Sequence, residues 1–439
     1  VLVDEYQDLN RAEQVLLDLI ASRGTLTVVG DEDQSIYSFK HAHPEGIAEF
    51  GRTHPGTHDE SLEQCRRCPR VVVDMANSLI AYNESRAQRV LKPYAGNPEG
   101  EVWVVQWPSV EEEAQGLATF VAQRVKAGGL HPGEVLVLAP RRQLGYRIRD
   151  ELVALGVPAH SFFHEEALEG DPTSLDGSMA QQAFSLLTLL ARPIDRVALR
   201  AWCGYGSQSL RAGGWRRIRE YAEKTGRSPF NILADLAAGK LSLPYTSAVV
   251  DRFDELRQRL AELQHLSGVE IVDALFPPNE SWAEPLRTIT SVLKQDGGPR
   301  ELLDLVYRAV TQPELPTTVD YVRVMSLHKS KGLTAKLVIV IGCIDGLIPS
   351  LPSNAPAPEA KRAIEEQRRL FYVALTRTKQ TLVLSSATHL DAAEAHRMGA
   401  PGRYAGDNYI VTFTSRFLRE LGPSCPAAIL GKDFLQSAI

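Results

Sequence analysis

The 439 residues carry a formal charge of −6, with 44% hydrophobic and 23% charged residues. That balance fits a globular chain of two or three domains and excludes a long disordered tract or a uniformly basic nucleic-acid coat, although a local basic groove stays open. Five cysteines, an odd and sparse set, argue against a disulfide framework and for a reducing, cytoplasmic setting, and no apolar run approaches the length of a membrane span.

The chain opens on "VLVDEYQDLN", where the apolar run Val1–Val3 ends in Asp4 and Glu5. A carboxylate at the end of a strand can hold Mg²⁺, and its neighbour can orient a water, although a solvated turn reads the same way. Asn10 followed by Glu13 spells a capping box. Val15, Leu16, Leu19 and Ile20 then give a helical stripe that stops at Gly24. "TLTVVGD" reads as a buried strand ending at Asp31, and the loop "DEDQSIYSFK" follows. In that loop Gln34 can donate to a terminal phosphate. Tyr37 and Phe39 alternate at strand spacing, as base-stacking faces or as core.

"LEQCRRCPR" brings Arg66 and Arg67 inside a C-x-x-C formed by Cys65 and Cys68, a spacing that serves zinc or redox chemistry elsewhere. No second cysteine pair or histidine pair stands at zinc spacing nearby. A helix is predicted over about 69–85, and the Pro/Gly-rich "KPYAGNPEGE" (92–101) reads as a linker. Strands at 102–107, 134–140 and 157–163 alternate with helices at 111–126 and 143–155, the rhythm of a parallel α/β sheet. From about 178 to 312 helical periodicity dominates, broken at Pro193, Gly213–Gly214, Pro244 and Pro277–Pro278. Strand patterns return at 321–327 and 336–342. A helix over 360–379 leads into the strand 381–386, and the last fifty residues read as irregular with short helices. "VMSLHKSKGL" (324–333) packs a Ser, a His, two Lys and a Gly into one loop, which suits phosphate contact but also an ordinary polar turn.

In order, "DEYQD", "GDEDQSIYSF", "LEQCRR", "SLHKSKGL" and "RRLFYVALTR" resemble the motifs of superfamily 1 DNA helicases of the UvrD/Rep/PcrA type, over residues 1 to about 390. The resemblance implies an α/β fold of RecA-like P-loop NTPase domains with an all-helical insertion in the second. Residues 1–91 would be the C-terminal remnant of the first, truncated domain. Residues 92–191 and 319–390 would form the second, 192–318 the insertion and 391–439 a tail. ATP and Mg²⁺ are the implied cofactors. The implied activity is 3′→5′ movement on single-stranded DNA with duplex separation at single-strand/double-strand junctions.

Residue by residue, Asp4 resembles the Mg²⁺-binding aspartate, Glu5 the catalytic base and Gln34 the sensor of the terminal phosphate. Arg67 and Arg377 resemble the arginine fingers, and Lys331 with Gly332 the core of the nucleotide-side fifth motif. Tyr37, Phe39, Lys40, Ser326 and His328 fall at DNA-contacting positions. Departures are Lys40, where Arg is usual, Phe39, where Trp is commoner, and Thr334, where many members carry a Glu near the ribose. Cys65 and Cys68 fall inside the fourth motif, which favours a packing role over zinc. "AAGKLS" and "LGKDF" carry a Gly-Lys but lack the G-x-x-x-x-G-K-[ST] phosphate loop. The expectation is therefore a helicase cut inside its first domain, inactive alone, whose partners are DNA and a missing N-terminal P-loop half. A non-catalytic DNA- or protein-binding remnant is the alternative, and the intact Glu5, Gln34, Arg67 and Arg377 argue against it.

Overall fold

The structure is a computed structural model that describes residues 1–439 apart from 38–40, 85, 87–89, 164, 165, 169, 281, 292, 312–317, 352–355, 407 and 439. It forms two compact units, Val1–Phe162 with Pro316–Ile439, and Phe163–Leu315.

The first unit is built on the strand Val135–Leu138 and its neighbours, whose residues are buried along their whole length. A strand covered on both faces reads as a continuous apolar run, which is why "VLVL" and "LVIV" show no alternation. Among the described residues these strands join a nine-stranded sheet. Its order is Gly402–Gly406, Tyr409–Thr412, Thr378–Asp391, Ala335–Val340, Val135–Leu138, Val322–Met325 and Ala159–Ser161, with Glu101–Ser109 also on Thr378–Asp391 and Ile429–Leu430 on Glu101–Ser109. Leu382 faces both Val102 and Val338 across parallel pairings. The sheet is α/β as the alternation predicts, but it is mixed. The pair Gly402–Gly406 and Tyr409–Thr412 is antiparallel and joins Thr378–Asp391 antiparallel. These short edge strands, with Tyr404 and Tyr409 exposed, carry no buried run, so the tail looked irregular in sequence.

Helix caps follow the chemistry of their residues. Asn10 accepts from Glu13 N at 3.0 Å while Glu13 Oε2 accepts from Asn10 N at 2.8 Å, completing the capping box of helix Arg11–Ala21. Ser109 caps helix Val110–Lys126 through Glu112 N. The predicted stripe on Arg11–Ala21 is nonetheless uncovered: Leu19 is 68% and Ile20 60% exposed, and Val15 and Leu16 are exposed too. The strands Leu2–Val3 and Thr27–Val28 pair parallel as a separate two-stranded sheet.

Helix Arg70–Ile80 fixes this N-terminal segment to the large sheet's layer. Just beyond it, Asn83 Nδ2 donates to Glu365 O at 3.0 Å and Asn83 Oδ1 accepts from Arg368 Nη1 at 2.6 Å. Arg368, on helix Ala357–Leu375, also pairs with Glu420 at 2.7 Å. Arg86 forks onto Asp33 with its shortest contact at 2.6 Å, both side chains buried. Burial pushes Asp33 up to about 6 in spite of that pair.

The second unit is helical, with Leu187, Trp202, Phe253, Phe276 and Leu302 in its core. It begins at 163, earlier than the 192 expected for the insertion. Helix Met179–Ala191 supplies Leu187 and Leu189 to that core. Trp202 Nε1 donates to Arg252 O at 2.8 Å and the Arg252 guanidinium lies 4.7 Å from the Trp202 ring centre.

One buried acid tests the packing of the sheet. Glu113, on helix Val110–Lys126, accepts from Ser385 Oγ at 2.6 Å and Gly342 N at 3.3 Å, and Ser385 accepts from Trp107 Nε1 at 3.0 Å. Burial pushes Glu113 up to about 7, above its ordinary 4.5. The fold thus binds this proton more tightly than the unfolded chain. Its stabilising contribution is complete below about pH 4.5 and is lost as the pH rises towards 7, by at most about 1.4 kcal/mol per pH unit. Urea midpoints of the wild type should therefore fall between pH 5 and pH 8 more steeply than those of Glu113→Gln. Equal slopes in the two proteins would contradict this.

Candidate functional site

Three loops that follow strand ends converge in the first unit. The first is the "DEYQD" turn after Leu2–Val3. Glu5 sits in the left-handed region at φ 53°, ψ 38°, a conformation that costs a residue with a Cβ of order 1–3 kcal/mol and gathers at functional sites. Its amide donates to Asp4 Oδ1 at 2.8 Å, and its carboxylate accepts from Gln7 Nε2 at 2.5 Å. Asp4 itself is exposed.

Gln7 is fully buried and joins the first loop to the second. Its Oε1 accepts from Asp31 N at 3.0 Å and its carbonyl from Ser35 Oγ at 3.3 Å. In the second loop Gln34 Nε2 donates to Asp31 Oδ2 at 2.8 Å. Gly30 lets the loops approach: a Cβ there would lie 2.3 Å from Gln7 Oε1 and 2.7 Å from Ile47 Cδ1.

The third loop, "HKSKGL", follows Val322–Met325 and delivers Lys331. Its ammonium, only 7% exposed, lies 3.1 Å from Glu5 Oε2, 2.6 Å from Asp8 Oδ2 and 2.9 Å from the Gln34 carbonyl. One cation therefore ties both acidic loops together. The Tyr37 ring centre is 5.4 Å from the same ammonium. Burial raises the Tyr37 hydroxyl, and Asp8 and Glu5 raise it further. Gly332 has φ +82° with open space around it, so backbone conformation rather than crowding calls for glycine.

Across from the carboxylates stand two arginines. Arg377 is 1% exposed and donates to Val373 O at 2.9 Å, Thr376 Oγ1 at 3.1 Å, Leu333 O at 3.4 Å and Gln34 Oε1 at 3.5 Å. These are all neutral acceptors, and among the described residues Arg377 forms no ion pair. Burial pushes it down to about 10, and the charge of Arg67 adds to the effect. Arg67 is exposed and donates to Thr376 O at 3.4 Å. Two cations beside a neutral glutamine form a place where arriving negative charge is stabilised.

The structure thus brings together Glu5, Gln34, Tyr37, Lys331 and Arg377, with Asp4 and Gly332 adjacent in the chain and Arg67 alongside. It does not bring Ser326 and His328 among the carboxylates. They line another cleft, of about 230 Å³, with Arg141, Ser350 and Gln367. Phe39 and Lys40 lie outside the described residues. Sequence reasoning missed Gln7 and Asp8. The available signal was two further polar residues in the turn directly after the strand-end acids, flanking no apolar face of their own. Among the described residues no group of three or more His, Cys, Asp or Glu could hold a metal. Asp4 fits Mg²⁺ only as Mg²⁺ is commonly held, by one or two carboxylates together with phosphate oxygens.

Comparison with known proteins finds relatives over most of the chain. Residues 1–55 match the UvrD/REP helicase N-terminal domain and residues 236–389 the UvrD-like helicase C-terminal domain. The chain is similar to the ATP-dependent DNA helicase UvrD1 of Mycobacterium tuberculosis, 28% identical over 88% of this chain and 54% of that protein. It is 27% identical to UvrD1 of Mycobacterium leprae over 96% of this chain and 58% of that one. The ATP-dependent DNA helicase PcrA of Staphylococcus epidermidis is 25% identical over 88% of this chain and 54% of PcrA. The chain spans little more than half the length of these relatives.

The loop contact at Gly30 is open to direct measurement. Gly30→Ala should lower stability by about 1–3 kcal/mol, because the new Cβ would displace Gln7 Oε1 from the Asp31 amide and crowd the Tyr6 backbone nitrogen at 3.3 Å. Gly24→Ala, with nothing within 4 Å, should change it by under about 0.5 kcal/mol. Equal urea midpoints for the two variants would remove Gly30 from the account.

Proposed function

We propose that this chain, of the UvrD-like helicase family, is part of an ATP-dependent DNA helicase that couples ATP hydrolysis to 3′→5′ movement on single-stranded DNA and to strand separation at single-strand/double-strand junctions. The observation that carries the reading is Arg377: a buried guanidinium without an ion pair among the described residues, bonded to Gln34 and repelled by Arg67. A buried cation held only by neutral acceptors is costly, and a phosphate group would supply the missing negative charge.

In this reading Glu5 takes the proton of an attacking water, its carboxylate aimed by Gln7 and Lys331. Gln34 hydrogen-bonds the terminal phosphate, and Arg67 and Arg377 stabilise the charge that develops as the phosphoryl group transfers. Asp4 would hold Mg²⁺, which offsets phosphate charge when bound. Lys331 and Gly332 stand on the nucleotide side and report the state of the pocket to the "HKSKGL" loop. Ser326 and His328, in their own cleft, and Tyr37, Phe39 and Lys40 contact DNA.

A segment bearing a phosphate loop is the proposed protein partner. The exposed stripe of Val15, Leu16, Leu19 and Ile20 supports this, since an apolar face of that kind normally lies against another element. We assign the chain to the cytoplasm. Five free cysteines support that, and no helix among the described residues is long and apolar enough to cross a membrane.

The test is a phosphate-release assay with and without single-stranded DNA. The 439-residue chain alone should show no DNA-stimulated turnover above its Glu5→Gln variant. Joined to a segment carrying the phosphate loop it should turn over, and Arg377→Ala should then cost roughly 10³-fold or more. Turnover by the chain alone well above the Glu5→Gln control would overturn the proposed inactivity; Arg377→Ala at wild-type rate in the joined protein would overturn the role of Arg377.

DNA binding has its own check. Stacking on an aromatic ring is worth roughly 1–3 kcal/mol per base, so Tyr37→Ala should weaken single-strand affinity about fivefold or more at fixed salt. Unchanged affinity would return Tyr37 to a packing role beside Lys331.

A further inference from the structure

The two thiols of the "CRRC" turn are not used by the site described above. Asn97 Nδ2 donates to the carbonyls of both Cys65, at 2.6 Å, and Cys68, at 2.7 Å, so one amide group clasps the two ends of the turn. Both cysteines are free. Their surroundings differ. Cys65 is half-buried at the end of strand Gln64–Cys65, whereas Cys68 is 1% exposed and its Sγ donates to Thr376 O at 3.3 Å. The neighbouring Cys68 side chain holds the Cys65 thiol well below its ordinary range, against the effect of burial, and the backbone amides of Cys68 and Arg67 and the Arg67 charge help. The neighbouring Cys65, through its side chain and its charge, and burial push Cys68 up. A reachable thiolate beside a shielded thiol is the asymmetry that redox-active pairs use. Zinc is a poorer reading, since the pair has no third ligand among the described residues.

We propose that Cys65 and Cys68 form a redox-active dithiol that reacts with low-molecular-weight disulfides, Cys65 being the attacking sulfur and Cys68 the resolving one. The Cys65 thiolate attacks one sulfur of the disulfide, forming a mixed disulfide and releasing one thiolate. Cys65 then no longer carries charge, so Cys68 ionises more readily. Its thiolate attacks the Cys65 sulfur and expels the second thiolate. Two protein thiols are oxidised by two electrons, one small disulfide is reduced to two thiols, and the protons pass to the leaving thiolates. Closure removes the S–H donor from Thr376 O, which also accepts from Arg67 and precedes Arg377. Oxidation is thereby felt at the arginine pair.

The experiment treats the reduced 439-residue chain with oxidised glutathione at pH 7, quenches in acid and maps peptides by mass. The wild type should lose two hydrogens, gain a Cys65–Cys68 link and release two equivalents of reduced glutathione. Cys68→Ser, or Cys68→Ala if the serine variant folds poorly by circular dichroism, should stop with one glutathione on Cys65. Cys65→Ser should leave Cys68 unmodified. Cys425, a thiol that burial pushes up to about 11, is the internal reference, and Cys65 should react at least about tenfold faster. A lasting adduct on wild-type Cys65, Cys65 reacting no faster than Cys425, or modification of Cys68 in Cys65→Ser would each overturn the proposal.

Discussion

The arrangement of the candidate site depends on one ammonium group. Lys331 reaches from the loop after Val322–Met325 to Glu5, Asp8 and the Gln34 carbonyl, and it is almost wholly shielded from water. A charge in such a place persists only with partners at hydrogen-bond distance, and here the partners come from two different strand-end turns. Without it, the largely shielded Asp8 carboxylate would lose its cation. With it, the "DEYQD" and "DEDQS" loops are held in one register against the large sheet. Gln7 completes the clasp from below, and Gly30 gives it room.

The arginine side of the site follows a different electrostatic logic. Lys331 is neutralised by carboxylates, whereas Arg377 is buried among carbonyls and a hydroxyl with Arg67 nearby. The positive charge is satisfied on one side of Gln34 and left in excess on the other. That division matches a chemistry in which a base and a water work at the carboxylates while negative charge develops towards the arginines. It also shows why Lys331 is better read as a strut between motifs than as a direct phosphate ligand in this conformation.

Much of the fold was legible because its signals are local. The Asn10–Glu13 capping box, the continuous apolar run at 135–138 and the helix leading to Arg377 each arise from a few neighbouring residues. The acids after Leu2–Val3 and the polar loop after Thr27–Val28 were likewise readable as strand ends. The edge hairpin at 402–412 was not, because exposed strands of four or five residues lack a periodic face. The start of the helical unit was blurred for the same reason, as "AFSLLTLLA" suits a helix in either layer. At the site, Gln7 and Asp8 escaped because their roles depend on partners 24 and 323 positions away, and no local pattern encodes that. The stripe on Arg11–Ala21 was correctly helical, yet its face is bare: Val15, Leu16, Leu19 and Ile20 are all exposed.

The most direct test of the account is a double-mutant cycle between Lys331→Met and Asp8→Asn, read as urea unfolding free energies at fixed pH and salt. A strut that neutralises Asp8 predicts a coupling energy of about 1–3 kcal/mol, each single change costing more than its share of the double. If the two effects add to within about 0.5 kcal/mol, Lys331 does not hold these loops together, and the site is assembled by some other contact.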